Sequence, residues 1–193
     1  WGAFSSWNTL SASGNGTTYR VKISSPGGPS FFTEDISGFF TLDNTPPVNV
    51  GCRLPADGSH REPISTTLTA RSATDSPAGL NTTPYYFQID TTPSFNSPNR
   101  QNSGWRELPT WHPVLQPNTT YYWRVNARDI ADPPNERGFC GDADAVGTCW
   151  SFRTLGVYHA IDIESETTGL RWILNNVPLN PGDIVYVDAG LYP

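Results

Sequence analysis

Residues 115–128 carry the pattern that most constrains how this chain can fold. Apolar side chains occupy alternate positions of the run LQPNTTYYWRVNAR, at Tyr121, Trp123, Val125 and Ala127. The positions between them hold Tyr122, Arg124, Asn126 and Arg128. A period of two residues is typical of a β-strand with one face in a core and the other in water. Because Pro117 and Asn118 favour a turn, the run predicts a turn followed by a half-buried strand.

The composition favours an all-β chain of one or two domains. Of the 193 residues, 36% are hydrophobic and 12% are aromatic, so Trp, Tyr and Phe must supply much of any core. The 18 prolines and 17 glycines indicate many short strands joined by turns. No long stretch has the period of an amphipathic helix.

The charge of the chain argues against two classes of partner. The net charge is −6, and Lys22 is the single lysine. Non-specific nucleic-acid binding and binding to an anionic membrane surface both need a basic face. No apolar run approaches the length of a membrane span. We therefore expect no nucleic-acid partner and no membrane insertion. The chain also contains no methionine, so we expect it to be a piece of a longer precursor.

The alternating stretch also resembles a known family. Six residues match the run L-x-P-x-T-x-Y-x-x-x-V-x-A of fibronectin type III domains: Leu115, Pro117, Thr119, Tyr121, Val125 and Ala127. The resemblance implies that the Tyr121 hydroxyl bonds back to the chain a few residues upstream, as a tyrosine corner. The blocks YYFQID, SGW, NTTYYWRVNARD and WSFRT together resemble fibronectin type III modules of bacterial secreted proteins. The alternative is an unrelated strand that follows a proline turn.

Residues 45–155 are predicted to form this main domain, a seven-stranded fibronectin type III-like sandwich. The strands that the sequence marks best are 48–54, 64–70, 85–89, the Tyr121 strand and 150–154. In the second of these, Ile64, Leu68 and Ala70 are predicted to point inward. Two departures from the family are the missing tryptophan in that strand and the long connection 130–148.

The two flanks are predicted to be incomplete modules. Residues 1–44 resemble the end of an immunoglobulin-like module of bacterial surface proteins, with strands at 19–23 and 39–42 and an earlier one around Trp1, Phe4 and Trp7. Residues 44–47, NTPP, are predicted to be a stiff linker. In residues 156–193, the run NPGDIVYVDAGLY resembles the opening of a right-handed parallel β-helix. That resemblance implies a cap helix around Leu170, Trp172, Ile173 and Leu174 and a first strand at 184–187. The alternative is a stray strand that docks on the main domain.

The three cysteines suggest one disulfide bond. Cys140 and Cys149 flank the short acidic loop GDADAVGT, and a bond closing it would imply an oxidising compartment. The alternative is two unpaired thiols. Cys52 is left over, and the three cysteines do not form a zinc site because no histidine lies near them.

Two surface features are candidate binding sites. Asp142 and Asp144, with Asp129, Asp132 and Glu136 nearby, offer the oxygen ligands that calcium takes; solvated loop acids are the alternative. Trp105, Trp111 and Trp7 are candidates for stacking on sugars, with core packing as the alternative. The histidines have no metal-ligand spacing and no serine has a nucleophile motif, so we expect no catalytic residues and no cofactor.

These observations predict a non-catalytic spacer or adhesin-like segment of a large extracellular or cell-surface protein. Its partners would be the neighbouring domains of the same polypeptide. One alternative is a repeating subunit of an extracellular filament, completed by strands from its neighbours. Another is an accessory carbohydrate-binding segment of a polysaccharide-degrading β-helix enzyme, which rests on analogy of fold.

Overall fold

The computed structural model describes residues 14–23, 35–160 and 169–187. The elements are β1 (Gly16–Tyr19), β2 (Lys22–Ile23), β3 (Asp35–Ile36), β4 (Phe40–Leu42), β5 (Cys52–Leu54), β6 (Ser59–Glu62), β7 (Leu68–Ala70), β8 (Leu80–Asp90), β9 (Gln101–Arg106), β10 (Thr110–Trp111), β11 (Thr120–Asp129), β12 (Trp150–Thr154), β13 (Val157–Ala160), α1 (Leu170–Asn176) and β14 (Ile184–Val187). Strands dominate these residues, which confirms the all-β fold class. Within the same residues, no helix is long and apolar enough to cross a membrane.

The central part of the chain is a sandwich-like pair of sheets. One sheet has five strands in the order β6-β12-β11-β8-β9, and the other has three in the order β10-β7-β5. β11 pairs antiparallel with both β8 and β12, and β6 joins β12 in parallel. The main buried cluster includes Cys52 and Leu68 from the smaller sheet together with Phe87 and Trp123 from the larger one, so the core lies between the sheets.

The alternation predicted for β11 is confirmed. Tyr121, Trp123, Val125 and Ala127 are all buried in the core cluster. The Trp123 ring stacks with Phe87 at 6.4 Å and meets Trp150 edge-on at 6.3 Å between centroids. The opposite face of β11 turns away from the core and forms the outer face of the five-stranded sheet.

The long connection 130–149 extends this sheet. β12 pairs with β11 only over residues 120–123. Beyond that point the connection takes its place: Cys140 and Val125 exchange two backbone hydrogen bonds of 2.8 and 3.0 Å, and the Arg137 amide donates to the Ala127 carbonyl at 2.9 Å. The extra length therefore satisfies backbone groups that the end of β11 would otherwise leave unpaired.

Several predicted strand boundaries need correction. Strand 48–54 is reduced to β5, preceded by an isolated bridge between Val48 and Thr74. Strand 64–70 is reduced to β7, and Ile64 is 51% exposed rather than inward, because a turn closed by the Thr66 amide on the Pro63 carbonyl precedes the strand. Between residues 45 and 155 the structure has eight strands, β5 to β12, rather than seven.

The flanking segments contain the elements predicted for them. A helix is present where one was predicted, as α1, and the strand 184–187 is confirmed as β14, which pairs in parallel with β13. The strand predicted at 19–23 is interrupted between β1 and β2, and the strand predicted at 39–42 is confirmed as β4, which pairs antiparallel with β1. Trp1, Phe4 and Trp7 lie outside the described residues.

We expect the change Tyr121→Phe to lower the free energy of unfolding by about 1 kcal/mol. The Tyr121 hydroxyl accepts a hydrogen bond of 2.9 Å from the Gln116 amide, and phenylalanine leaves that amide without its acceptor. Urea unfolding followed by circular dichroism measures the loss. Tyr122→Phe, on the outer face of the same strand, is the matched control, and an equal loss in both variants would contradict the prediction.

Candidate functional site

Three aspartates from separate parts of the chain meet where the N-terminal segment joins the sandwich. Asp43 follows β4, Asp75 lies between β7 and β8, and Asp129 ends β11. One carboxylate oxygen of each lies within 4.8 Å of the others. We call these three residues the junction cluster. Asp43 and Asp129 are buried, and Asp75 is half-buried.

Backbone amides surround the junction cluster. Asp129 accepts hydrogen bonds from the Ala131 amide at 3.0 Å and from the Asn135 amide at 2.8 Å. Asp43 accepts from the Thr45 and Ala78 amides at 3.0 and 2.9 Å. Such donors stabilise the ionised form of a carboxyl group.

The acids of the junction cluster differ in pKa. Burial raises the pKa of Asp75, and the neighbouring Asp43 carboxylate raises it further, to about 6. Burial also acts to raise the pKa of Asp43, but the Thr45 and Ala78 amides together outweigh it and the net shift is downward. The junction cluster could therefore hold a proton near neutral pH, and its three oxygens are close enough to contact one cation.

The calcium candidates Asp142 and Asp144 have other contacts. Asp144 accepts hydrogen bonds from the Asn49 and Val50 amides at 2.9 and 3.0 Å, and it forms an ion pair of 3.4 Å with Arg137. Asp142 accepts from the indole N–H of Trp150 at 2.8 Å. These contacts fix the acidic loop against the start of β5 and against β12. Of the neighbours considered with them, Asp129 belongs to the junction cluster instead.

The predicted disulfide bond between Cys140 and Cys149 is wrong. All three cysteines are free, and the Cys140 thiol donates to the Gly138 carbonyl at 3.4 Å. The loop is closed by Thr148, whose hydroxyl accepts from the Gly141 and Asp142 amides at 2.9 and 3.0 Å. Burial raises the pKa of all three thiols, which favours the unreactive protonated form.

The outer face of the five-stranded sheet carries stacked arginine and aromatic side chains. The guanidinium of Arg124 lies 3.9 Å from the ring centre of Phe95 and 4.6 Å from that of Phe139. The guanidinium of Arg128 lies 4.2 Å from the ring centre of Trp105. Each distance is within the range of cation–π attraction. Gln88 accepts two hydrogen bonds from Arg124, at 2.9 and 2.6 Å, which fixes the guanidinium in place.

An open groove of about 390 Å³ lies on the same face, and we call it the outer groove. Tyr86 of β8 is at its floor, Trp105 of β9 lines one side, and Phe139 of the 130–149 connection lines the other. The Tyr86 ring makes edge contacts with both, at 5.3 Å to Trp105 and 5.9 Å to Phe139 between centroids. Asn126 fixes the backbone next to Phe139, because its Oδ1 accepts a hydrogen bond from the Gly138 amide at 2.8 Å.

The three tryptophans suggested for sugar stacking differ in where the structure places them. Trp105 is half-buried and lines the outer groove. Trp111 packs against the core cluster, with its ring centre 6.3 Å from that of Phe87, so core packing accounts for it. Trp7 lies outside the described residues. Sequence analysis did not identify Tyr86 or Phe139 as groove residues.

Comparison of the chain with protein-family models gives no match, and comparison with curated protein sequences gives none either. The function must therefore be argued from the geometry of the chain itself.

Proposed function

We propose that this chain is a non-catalytic structural segment of a large extracellular multidomain protein, and that it holds the neighbouring domains at a set distance. The observation that carries this proposal is that side-chain hydrogen bonds join the sandwich to the segment before it, through Asp43, and to the segment after it, through Arg61. A spacer needs such bonds, because a free linker would let its neighbours swing.

At the N-terminal junction, the bonds run from the linker to two loops of the sandwich. The Asp43 carboxylate accepts from the Ala78 amide, and the Asp43 carbonyl accepts from the Asn135 side chain at 3.0 Å. The Thr45 hydroxyl donates to the Ser76 carbonyl at 3.3 Å. Bending at this linker would break a charge-assisted hydrogen bond between partly buried groups, and such bonds are among the stronger ones in proteins.

At the C-terminal junction, Arg61 bonds across to the turn before β14, and Asp183 orders that turn against the start of β13. The Asp183 carboxylate accepts from the Gly156 amide at 2.8 Å and from the Asn180 amide at 2.9 Å. Burial acts to raise the pKa of Asp183, but these donors outweigh it and the net shift is downward. Arg61 of β6 donates a hydrogen bond of 2.8 Å to the Pro181 carbonyl. Gly182 has a φ of +100°, and a Cβ at this position would lie 2.8 Å from the Arg61 side chain. Glycine therefore permits the close approach of Arg61 to this turn.

Two observations support the fibronectin type III-like assignment of residues 45–155. The division into sheets of three and five strands suits that sandwich, and the hydrogen bond from Gln116 to Tyr121 has the direction expected of a tyrosine corner. The parallel pairing of β13 with β14, with α1 between them in sequence, supports the start of a β-helix after it. The extracellular location rests on the resemblance to modules of secreted proteins alone. The three free thiols add no support to it.

We expect Asp183→Ala to loosen the C-terminal junction. The variant leaves the Gly156 and Asn180 amides without their acceptor, which costs about 1 to 2 kcal/mol locally. Amide hydrogen exchange followed by NMR should therefore be about tenfold faster or more in β13 and β14, with little change in β8 and β11. Asp132→Ala, which removes an exposed aspartate at the opposite junction, is the control. Unchanged exchange in β13 and β14 of the Asp183 variant would contradict a role of Asp183 in holding this junction together.

The assembly state tests the spacer function as a whole. Light scattering and negative-stain microscopy of the wild-type chain are expected to show monomers at high concentration. Ordered polymers would instead favour the filament alternative, in which strands are completed between copies.

A further inference from the structure

The outer groove has the ring surfaces that a sugar needs. Trp105 and Phe139 line its two sides and Tyr86 joins them at the floor. Neither Arg124 nor Arg128 lines the groove. The guanidinium groups of Arg124 and Arg128 stack on Phe139 and Trp105 and fix the two rings, and both rings still line the open groove. Apolar ring surface of this kind packs against the C–H faces of a pyranose.

The polar groups at the groove have unused hydrogen-bonding capacity. Asn102 accepts from Gln88 at 2.9 Å through its oxygen, and its amide NH₂ has no partner within the described residues. Glu136 accepts from Asn126 at 2.8 Å through one carboxylate oxygen, and the other oxygen is unused within the same residues. Arg100 donates to the Phe95 carbonyl at 2.9 Å through one nitrogen and has further N–H groups. Donors and acceptors are thus both available, as hydroxyl groups require.

The charges at the groove point to a neutral ligand. Arg100 lies beside β9, and Glu136 lies across β8 and β11 on the other side of the groove. A polyanion would meet the Glu136 carboxylate and a polycation would meet Arg100, and like charges at close range are repulsive. A neutral chain of sugars meets neither penalty, and its hydroxyl groups can bond to both residues.

We propose that the outer groove binds a neutral polysaccharide, with a sugar ring between Trp105 and Phe139 over Tyr86. Asn102 and Arg100 donate hydrogen bonds to its hydroxyl groups and Glu136 accepts one. The cavity volume of about 390 Å³ is within the range of known ligand sites, which begins at about 300 Å³. This binding function is independent of the spacer function, since it uses the sheet face between the two junctions.

Affinity gel electrophoresis of the whole chain tests the site. The probes are five soluble neutral polysaccharides, namely dextran, laminarin, xyloglucan, galactomannan and arabinoxylan, with polygalacturonate as the anionic comparison. At least one neutral polymer should retard the wild-type chain. Trp105→Ala should weaken that retention by about tenfold. Glu136→Gln should weaken it severalfold, and the fold should be kept because position 136 is exposed and a glutamine oxygen can still accept from Asn126.

Trp172→Ala is the matched control, because Trp172 is 36% exposed on α1 and lies outside the groove. It should bind like the wild type. Retention by none of the five neutral polymers would overturn the proposal, as would equal retention of the wild-type chain and both groove variants. Retention by polygalacturonate alone, lost at high salt, would overturn it in favour of simple charge attraction.

Discussion

Replacing Trp123 with alanine is expected to lower the free energy of unfolding by about 3 to 5 kcal/mol. Trp123 is completely buried, and its ring contacts Phe87 of the neighbouring strand β8 and Trp150 of the neighbouring strand β12. Its indole N–H has no hydrogen-bond partner within the described residues. The loss is therefore one of packing alone, since alanine leaves a cavity between the two sheets. Urea unfolding followed by circular dichroism measures it.

The indole N–H of Trp123 also determines the expected stability of the variant Trp123→Phe. A buried donor without a partner costs free energy, and Trp123→Phe removes it while it keeps an aromatic ring in the core. We expect this variant to lose less than about 1.5 kcal/mol. Trp172→Ala, at a half-exposed site on α1, should change stability by less than about 1 kcal/mol. Equal losses in Trp123→Ala and Trp172→Ala would contradict a core centred on Trp123.

Strands with a pattern of their own could be predicted from the sequence. The outcome for β11 follows from strict alternation, because each apolar side chain has one face of the sheet available to it. β12 and β14 were predicted with their observed bounds. In β14 the Pro-Gly turn before the strand marks where it begins.

Other strands form because neighbouring strands pair with them. β6 and β9 have the sequences SHRE and QNSGWR, which are polar and carry no strand pattern. Each lies at an edge of the five-stranded sheet and receives its hydrogen bonds from β12 or β8. Their assignment depends on a partner strand distant in sequence, and strand propensity is strongly context-dependent for this reason.

The residues of the candidate sites could likewise be predicted from the sequence only where a local pattern exists. The outward positions of β11 follow from alternation, which places Arg124 on the face away from the core. Trp105 lies opposite Tyr86 because of the register between β8 and β9. A shift of β9 by one residue would move the Trp105 side chain to the other face of the sheet. The junction cluster depends on three distant segments that converge, which no local pattern records.

The cysteine prediction failed because nearness in sequence says little about the direction of a side chain. Cys140 is held in the sheet by its two backbone bonds to Val125, and this pairing fixes where its thiol points. The polar residue Thr148 then closes the loop through its hydroxyl group. Threonine hydroxyls commonly make such local hydrogen bonds to the backbone in turns.

The junction cluster makes the stability of the chain depend on pH between about 4 and 6. The pKa of Asp75 is about 6 in the folded chain, against 3.8 for an ordinary aspartate. Because the folded value is the higher one, the folded state binds a proton more tightly than the unfolded state in this range. The stabilisation is therefore fully present below about pH 4 and is lost as the pH rises through 6.

At the acid end of the range, other carboxyl groups act in the opposite direction. The pKa values of Asp43, Asp90 and Asp183 are lowered in the folded chain: in each case burial acts to raise the pKa, and hydrogen-bond donors outweigh it. Their contribution is present above the ordinary value and is lost as the pH falls through the lowered one. The chain should thus be most stable between about pH 4 and 5, where the two effects meet.

Asp75→Asn isolates the contribution of the junction cluster. Asparagine can still accept the hydrogen bond that the Gly79 amide donates to Asp75 at 3.0 Å, but it carries no charge beside Asp43 and Asp129. We expect the wild-type chain to be about 1 kcal/mol more stable at pH 5 than at pH 7.5, a figure reduced for solvent screening because Asp75 is half-buried. In Asp75→Asn this difference should largely disappear, because the variant is already stabilised at pH 7.5.

Urea unfolding at the two pH values measures the difference in each variant. Asp132→Asn is the matched control, since Asp132 is an exposed aspartate that lines the cavity beside Asp43, and it should keep the pH dependence of the wild type. If Asp75→Asn also kept that dependence, the source would have to be another group. Because Asp43 bonds the linker to the sandwich, the same variant should slow amide exchange in β4 at pH 7.5, which links the charge of the junction cluster to the rigidity that a spacer needs.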